Sequence, residues 1–211
     1  MALIPSKLIG LVALALTVTT CWTGTATHTA AVPNEADLSP SVRKVIESAN
    51  EQINTVRGYS QTYFVIPYPG GDVPGDTGAC TDVVIRSFRN AGVDLQREVH
   101  EDMAANFSAY PRKWGLTMPD TNIDHRRVPN LQAFFTRKGR SMLVTADPRS
   151  YRPGDVVSWD LDGKGMTHIG VVSNSWNQRA GRYEIIHNIG GGTNREDRLF
   201  EWKITGHYRY F

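Results

Sequence analysis

Cys80, His168 and His187 are the side chains whose types and spacing in this sequence fit nucleophilic catalysis. Cys80 stands at the start of a helix-forming run, 81–90, and follows a stretch of mostly small residues, 75–79. A thiol attacks as its thiolate, which the amide dipoles at a helix N-terminus and a nearby imidazolium both stabilise. We expect Cys80 to attack a carbonyl carbon, with its own N–H contributing to an oxyanion hole.

The same position also fits an inert cysteine. Cys80, Val84 and Phe88 recur every four residues, which places them on one stripe of a helix. Unreactive cysteines are among the most buried side chains in proteins. Position on the helix therefore leaves both a catalytic and a structural cysteine open.

The two histidines favour the catalytic interpretation. His168 opens a β-rich run in which period-two alternation places His168, Gly170 and Val172 on one face, with Gly170 leaving space beside the imidazole. His187 ends the next run, so in an antiparallel pair it can lie near His168 and orient its ring. Asn188 is an alternative orienter and a candidate substrate contact. A cysteine, a histidine and a polar orienter, in that order, follow the logic of a papain-like triad.

Other polar side chains are candidates for contact with substrate. Asp82 is either a charge at the end of its helix or a substrate contact. Arg126 or Arg127 could bind a substrate carboxylate through two hydrogen bonds, although a structural ion-pair network explains the same residues. His125 beside them competes with His168 as the base, but lacks the strand context with its neighbouring glycine.

The composition and motifs argue against other kinds of site. Lys and Arg number 23 against 21 Asp and Glu, and a net charge of +2 gives no reason to expect nucleic acid as a partner. The sequence has no His-Glu-x-x-His motif, and its six histidines show no comparable metal-ligand spacing. The run 190–193 lacks the Lys-Ser/Thr ending of a phosphate-binding loop and is predicted as a turn. We expect neither a metal nor a cofactor.

The elements that must position these side chains predict an α+β domain. Ser39 and Pro40 mark the start of a helix of about four turns. Further helices are predicted over 81–90, 95–107 and 128–138, with loop or short strand and turn over 59–74. After Gly154 short β-rich runs follow, at 155–159, 168–173 and 183–187, with one or two more within 200–210. This order predicts N-terminal helices packed on a C-terminal antiparallel sheet.

The first 26 residues have the layout of a secretory signal. Lys7 precedes an apolar run over 8–18, which is too short for a transmembrane helix of about 20 residues. Residues 27–38 are predicted as a flexible spacer, and 39–211 as a single domain. We expect an exported protein, located in the periplasm or the cell envelope.

Cys21 offers an alternative form of anchoring. It follows Val18-Thr19-Thr20, which resembles the attachment box of bacterial lipoproteins, although Thr20 departs from that pattern. A lipidated Cys21 would become the N-terminus of the mature chain. In either case Cys80 is the one free thiol expected in the mature domain.

Several blocks of the sequence resemble a known bacterial family. The order of Cys80, the strand Pro153–Val157, the strand His168–Val172 and the run Ile185–His187 resembles the NlpC-type papain-like cell-wall peptidase superfamily. Three blocks more closely resemble the bacterial domain-of-unknown-function 1287 family: Cys80–Arg86, Asn122–Leu131 and Trp202–Tyr210. The likeness extends from about Val42 to Phe211, which is nearly the whole mature chain.

The resemblance implies a papain-like fold and the hydrolysis of amide bonds in peptidoglycan stem peptides through an acyl-enzyme. It implies that Cys80 is the nucleophile, His168 the base and His187 the orienter. It also suggests Tyr68 as a cap over the substrate site, as tyrosines are in this superfamily. The implied partner is peptidoglycan or a muropeptide, and we expect the protein to be a monomer.

The sequence departs from the usual peptidases beside the nucleophile. Those peptidases have Asp before the cysteine and Ser-Gly after it, whereas here Ala79 precedes Cys80 and Thr81-Asp82 follow. Two other functions stay open, a cysteine-dependent acyl transferase and a non-catalytic envelope-binding module. An enzyme is expected to show a thiol that reacts well below about pH 8.5, and a binding module an unreactive one.

Overall fold

The computed structural model describes residues 1–2 and 37–211. Residues 37–211 belong to one compact unit. The predicted signal segment, most of the predicted spacer and Cys21 lie outside the described residues, so they stay predictions. Within 37–211, no helix is both long enough and apolar enough to cross a membrane.

Four α-helices make up the first part of the described domain. They are α1 (Pro40–Thr55), α2 (Cys80–Asn90), α3 (Leu95–Ala105) and α4 (Val128–Arg137). The Ser39 hydroxyl caps α1 by accepting from Val42 N at 3.2 Å, and Pro40 occupies the first turn, as predicted. The predicted third helix ends earlier than expected, and a 3₁₀ turn follows it at Phe107–Ala109. Two more 3₁₀ turns lie at Asp124–Arg126 and Pro148–Ser150.

Five strands form one antiparallel sheet, which confirms the predicted α+β class. They are β1 (Val156–Asp160), β2 (Thr167–Asn177), β3 (Arg182–Asn188), β4 (Thr193–Glu196) and β5 (Lys203–Tyr208). Their order across the sheet is β4-β3-β2-β1-β5. The prediction of a turn over 190–193 is wrong for Thr193, because this residue begins the edge strand β4.

The two faces of the sheet pack against different parts of the chain. On one face Ile169 and Val171 of β2 pack with α2, α3 and α4. On the other face Val172 packs with Trp159 in a second cluster of buried apolar side chains. Because neighbours along β2 point to opposite faces, His168 lies on the face that carries Trp159 and Val172, as the period-two pattern predicts.

Asp155 of the Pro-Gly-Asp turn anchors the C-terminal segment 203–211 to the sheet. Its carboxylate accepts from Arg209 Nε at 2.7 Å and Nη2 at 2.6 Å, and it lies 2.7 Å from His207 Nε2. It also accepts from Arg152 N at 2.8 Å. Gly154 adopts a φ of 85°, a left-handed conformation that favours glycine. This motif therefore has a structural function in the fold.

The segment 203–211 also completes the core on the helix side. Tyr210 and Phe211 place their rings 5.3 Å and 5.4 Å from the ring of Phe88 in α2. Phe88 is itself fully buried. The helices therefore complete their apolar packing only when this C-terminal segment is in place.

Candidate active site

Cys80 is the first residue of α2 and is 5% exposed. The backbone N–H of Ile169 on β2 faces its sulfur, so the thiol lies against the backbone one residue beyond His168. The Asp82 carboxylate accepts from Ala79 N at 2.5 Å, which satisfies an N–H ahead of the helix and holds the turn that presents the cysteine. The structure therefore places the predicted nucleophile at a helix N-terminus and beside the strand of the predicted base.

The electrostatic state of this pair differs from the thiolate expected for a catalytic cysteine. Burial raises the pKa of the Cys80 thiol to about 12, and the nearby Asp82 adds to the rise. Burial lowers the pKa of His168 to about 3, and the neighbouring His187 adds to the fall. Both shifts favour a neutral thiol and a neutral imidazole. Across the described residues, Cys80 and His168 make no hydrogen bond to each other.

His168 and His187 form the central contact of the candidate site. His168 Nε2 lies 2.8 Å from His187 Nδ1, and the two rings meet edge to face. The pairing of β2 with β3 places Gly170 opposite His187, where a Cβ on Gly170 would lie 3.0 Å from His187 Cβ and 2.8 Å from Ile185 Cγ2. Gly170 thus admits the β3 side chains, and His187 occupies the position expected of an orienter.

Glu196 on β4 extends this chain of polar contacts and was not predicted from the sequence. Its Oε2 lies 3.1 Å from His187 Nε2, within ion-pair distance but outside hydrogen-bond geometry. A proton held on Nε2 of His187 leaves Nδ1 as an acceptor for the Nε2–H of His168. His168 Nδ1 is then free to accept a proton. Glu196 therefore favours the tautomer of His168 that can act as a base.

Two tryptophans surround the histidine pair. The ring centroid of Trp159 lies 5.8 Å from that of His168. The Trp202 ring contacts both histidines, at 5.9 Å from His168 and 6.2 Å from His187. An apolar surround of this kind limits access of water to both imidazoles, which is consistent with the lowered pKa of each.

Asn188 does not take the position of an orienter or a substrate contact. Its Nδ2 donates to the carbonyl oxygens of Gly58 at 3.0 Å and Gly78 at 2.9 Å. Its Oδ1 accepts from Gly190 N at 3.2 Å, and the side chain is fully buried. Asn188 therefore fastens the end of β3 to the loop before Cys80, because all its polar atoms are already bonded.

Asp82 and Arg126 form a buried ion pair, which favours the structural alternative for both residues. Arg126 donates from Nε and Nη2 to the two Asp82 oxygens, at 2.9 Å each, and only 2% of its side chain is exposed. It also donates to the carbonyl oxygens of Ser60 and Thr62. This guanidinium holds the 60–62 loop against α2, and its burial with Asp82 argues against the expected substrate contacts of both residues.

Tyr68 does not line the cavity beside Cys80, which argues against its expected role as a cap over the substrate site. It is 40% exposed, and its ring packs against His100 at 5.0 Å. Tyr59 is the tyrosine beside the cysteine, since Cys80 contributes, after burial, to raising the pKa of its phenol. Gln61 Nε2 donates to the Tyr59 hydroxyl at 2.5 Å. Both tyrosines belong to one predicted loop, so sequence position could not separate them.

A cavity of about 380 Å³ opens beside Cys80. Thr167, the neighbour of His168, lines it together with Tyr63, Trp114 and Arg127. Its volume falls within the range of about 300–1,000 Å³ that is usual for small-ligand sites. The Cys80 thiol therefore lines a space that can admit part of a peptide, and Thr167 places the start of β2 at the same wall.

Comparison with known proteins places the chain in a family. The model of a family described as a domain of unknown function, DUF1287, matches residues 46–210. The chain belongs to the DUF1287 family. It is 52% identical to the Escherichia coli (strain K12) protein described as "Uncharacterized protein YijF", over 167 residues that cover 79% of this chain and 80% of that protein.

The DUF1287 chain was also compared with solved structures. It is similar to NlpC1 from Trichomonas vaginalis, with a TM-score of 0.41 and 15% sequence identity. The match covers 79% of this chain and 44% of that chain, so the DUF1287 chain spans less than half the length of this structural relative.

His125, the rival base, differs from His168 in its neighbours. It is 2% exposed, and burial lowers its pKa to about 3, helped by the neighbouring Arg126. Its next charged neighbour is Arg89, and within the described residues no histidine pairs with it as His187 pairs with His168. Among residues 37–211, no group of three His, Cys, Asp or Glu side chains is arranged to hold a metal ion.

Proposed function

We propose that this DUF1287 protein is an exported cysteine hydrolase that cleaves amide bonds in peptidoglycan stem peptides. The observation that best supports the proposal is the pairing of His168 with His187 beside a cysteine that begins a helix. A nucleophile at a helix N-terminus, a base and a residue that orients the base are the parts of a papain-like mechanism. The adjoining cavity supplies space for the substrate.

In the proposed reaction His168 acts as a general base towards the neutral thiol. His168 Nδ1 takes the proton as Sγ bonds to the carbonyl carbon, and the N–H of Cys80 faces the developing oxyanion. Collapse breaks the C–N bond, and His168 returns the proton to the leaving amine. Water then attacks the thioester, which releases a carboxylic acid and regenerates the thiol.

The proposed step requires Cys80 Sγ and His168 Nδ1 to come within hydrogen-bond distance when substrate enters. The two side chains are not hydrogen-bonded in the described structure, although the thiol lies against the backbone of the next residue, Ile169. Catalytic hydrogen bonds often shorten only when substrate is bound. The neutral pair is therefore a resting state, from which proton transfer accompanies attack on the carbonyl carbon.

Digestion of purified peptidoglycan tests the proposal. Wild type should release products with a new carboxyl group and a new amine, identified by mass spectrometry. Cys80→Ala and His168→Ala should each lower the rate at least about 100-fold, the usual contribution of a nucleophile or base. Tyr68→Phe, which alters a tyrosine away from the cavity, should digest like wild type. Products formed at an unchanged rate by Cys80→Ala would exclude this mechanism.

A non-catalytic envelope-binding module is the second candidate function. It is favoured by the burial of Cys80 and by its raised pKa, both of which suit an inert thiol. For such a module, wild type and Cys80→Ala should sediment equally with peptidoglycan sacculi, and neither should release products. Digestion by wild type would rule this candidate out.

A further inference from the structure

We propose that the cavity beside Cys80 selects substrates that carry a free carboxylate, which Arg127 binds. This inference rests on the proposed function, because it takes the cavity as the place where substrate lies. It adds the chemical class of the group recognised next to the cleaved bond. The recognised group is an anion in a site whose charged residues are basic.

The charges that line the cavity are both positive. Arg126 and Arg127 are the charged residues of its lining, which contains no carboxylate among the described residues. Arg126 is neutralised by its two hydrogen bonds to Asp82 and is almost fully buried. Arg127 is therefore the cation of the lining that is available to bind an anionic ligand.

Arg127 is held in position before any ligand enters. Its guanidinium lies over the Trp114 ring, 4.2 Å from the centroid, and Nη1 donates to Asp124 Oδ1 at 2.9 Å. The side chain is 16% exposed, whereas that of Asp124 is 1% exposed and also accepts from Asp120 N. Asp124 thus supports the arginine from the protein side.

The remaining edge of the guanidinium suits a carboxylate. Within the described part of the chain, Nε and Nη2 of Arg127 donate to no residue. A planar guanidinium binds a carboxylate through two parallel hydrogen bonds, which a lysine cannot reproduce. Because stacking on Trp114 and the bond to Asp124 already fix the side chain, binding costs little further ordering. A free acid should therefore be preferred to the matching amide.

Paired thiol reagents test this preference without requiring hydrolysis. N-iodoacetyl derivatives of glycine, β-alanine and 4-aminobutyrate, each compared with its carboxamide, place a carboxylate at increasing distance from the reacting carbon. In each reaction Sγ bonds to that carbon, iodide leaves with the electron pair, and the thiol proton passes to His168 or to solvent. We expect the acid-to-amide rate ratio to reach a maximum at one spacer length.

Variants of Arg127 identify the residue responsible. Arg127→Gln should lower the maximal ratio about three- to tenfold, as loss of hydrogen bonds to a charged group predicts, and Arg127→Lys should restore part of it. Arg179→Gln removes a cation beyond the far end of β2 and should leave the ratio unchanged. High salt should reduce the ratio in wild type. An equal ratio in wild type and Arg127→Gln would overturn the proposal.

Direct binding gives a result even if Cys80 proves inert. NMR titration of Cys80→Ser, which cannot be alkylated there, with N-acetyl-β-alanine and its carboxamide measures recognition alone. The acid should shift the Trp114 indole resonance until binding saturates, and the amide should bind more weakly. Arg127→Gln, made in the Cys80→Ser background, should remove the difference in affinity between acid and amide. Equal binding of acid and amide would refute carboxylate selection, whereas an inert thiol with selective binding would refute only the hydrolase.

Discussion

At the scale of single residues, the candidate base depends on a carboxylate that does not touch it. Glu196 contacts His187, and His187 contacts His168. Glu196 therefore affects the tautomer of His168 through His187. Burial lowers the pKa of His187, and the Glu196 carboxylate opposes that fall. Glu196 is therefore a positioning residue whose effect should appear in a pH profile.

Glu196→Ala should slow digestion about tenfold, or about 1.4 kcal/mol, because no carboxylate then favours the proton on Nε2 of His187. The acid limb of the rate profile should move to lower pH, because the pKa of His187 falls further without the carboxylate. Glu196→Gln keeps an acceptor oxygen and should recover most of the rate at neutral pH. Rates of wild type, these variants and Glu184→Ala, which alters a carboxylate of β3, should be measured between pH 3 and 8, because the lowered pKa values of the histidines place the acid limb below pH 6.5. An unmoved acid limb in Glu196→Ala would contradict this role.

Single residues also show how far the sequence could predict the site. His168 and His187 were predictable together because strand periodicity and antiparallel pairing are local rules. Asp82 and Arg126 are distant in sequence, and nothing local indicates that each satisfies the charge of the other. A buried arginine and an arginine open to a ligand look the same in a sequence, which is why Arg127 could not be separated from Arg126.

At the scale of secondary-structure elements, the register of β2 against β3 brings the histidines together. Gly170 is the residue of β2 that lets His187 and Ile185 pack closely. The main elements could be predicted because their apolar residues recur at helical or strand periods. The edge strand β4 could not, because its sequence Thr-Asn-Arg-Glu is short and polar. Glu196 was missed together with the strand that carries it.

Gly170→Ala should disturb the histidine pair through packing. The added methyl group would lie 2.8 Å from Ile185 Cγ2, 3.0 Å from His187 Cβ and 3.0 Å from Ile186 O, so β3 must shift. We expect a loss of about 1–3 kcal/mol in the free energy of unfolding, measured by urea denaturation, and a lower digestion rate. Gly191→Ala adds a methyl group in open space and serves as the control. Stability and rate equal to wild type in Gly170→Ala would refute the packing argument.

At the scale of the whole molecule, buried neutral histidines make stability depend on pH. Burial lowers the pKa of both His125 and His168 to about 3, whereas an unfolded histidine titrates near 6.5. Between these values the unfolded chain binds more protons than the folded one. The free energy of unfolding should therefore be highest above about pH 6.5 and fall as the pH drops towards 3.

Urea denaturation between pH 6 and pH 5 measures this dependence. Each buried histidine should contribute a loss of about 1.4 kcal/mol per pH unit in that interval. His125→Gln removes one titrating group outside the candidate site, so its slope should be smaller than that of wild type by about this amount. The comparison uses the slope of the free energy of unfolding against pH. A loss of packing in the variant lowers that free energy equally at each pH and leaves the slope unchanged. Equal slopes would show that His125 does not remain neutral in the folded protein.

The segment 203–211 has a consequence for the order of folding. Strand β5, the Arg209–Asp155 contacts and the rings of Tyr210 and Phe211 join parts of the chain that are distant in sequence. Contacts of high sequence separation form late and slow the folding of a chain during its synthesis. Until this segment emerges from the ribosome, the nascent protein keeps the apolar surface around Phe88 uncovered and one side of β1 unpaired. During that interval the nascent protein exposes apolar surface of the kind that promotes aggregation.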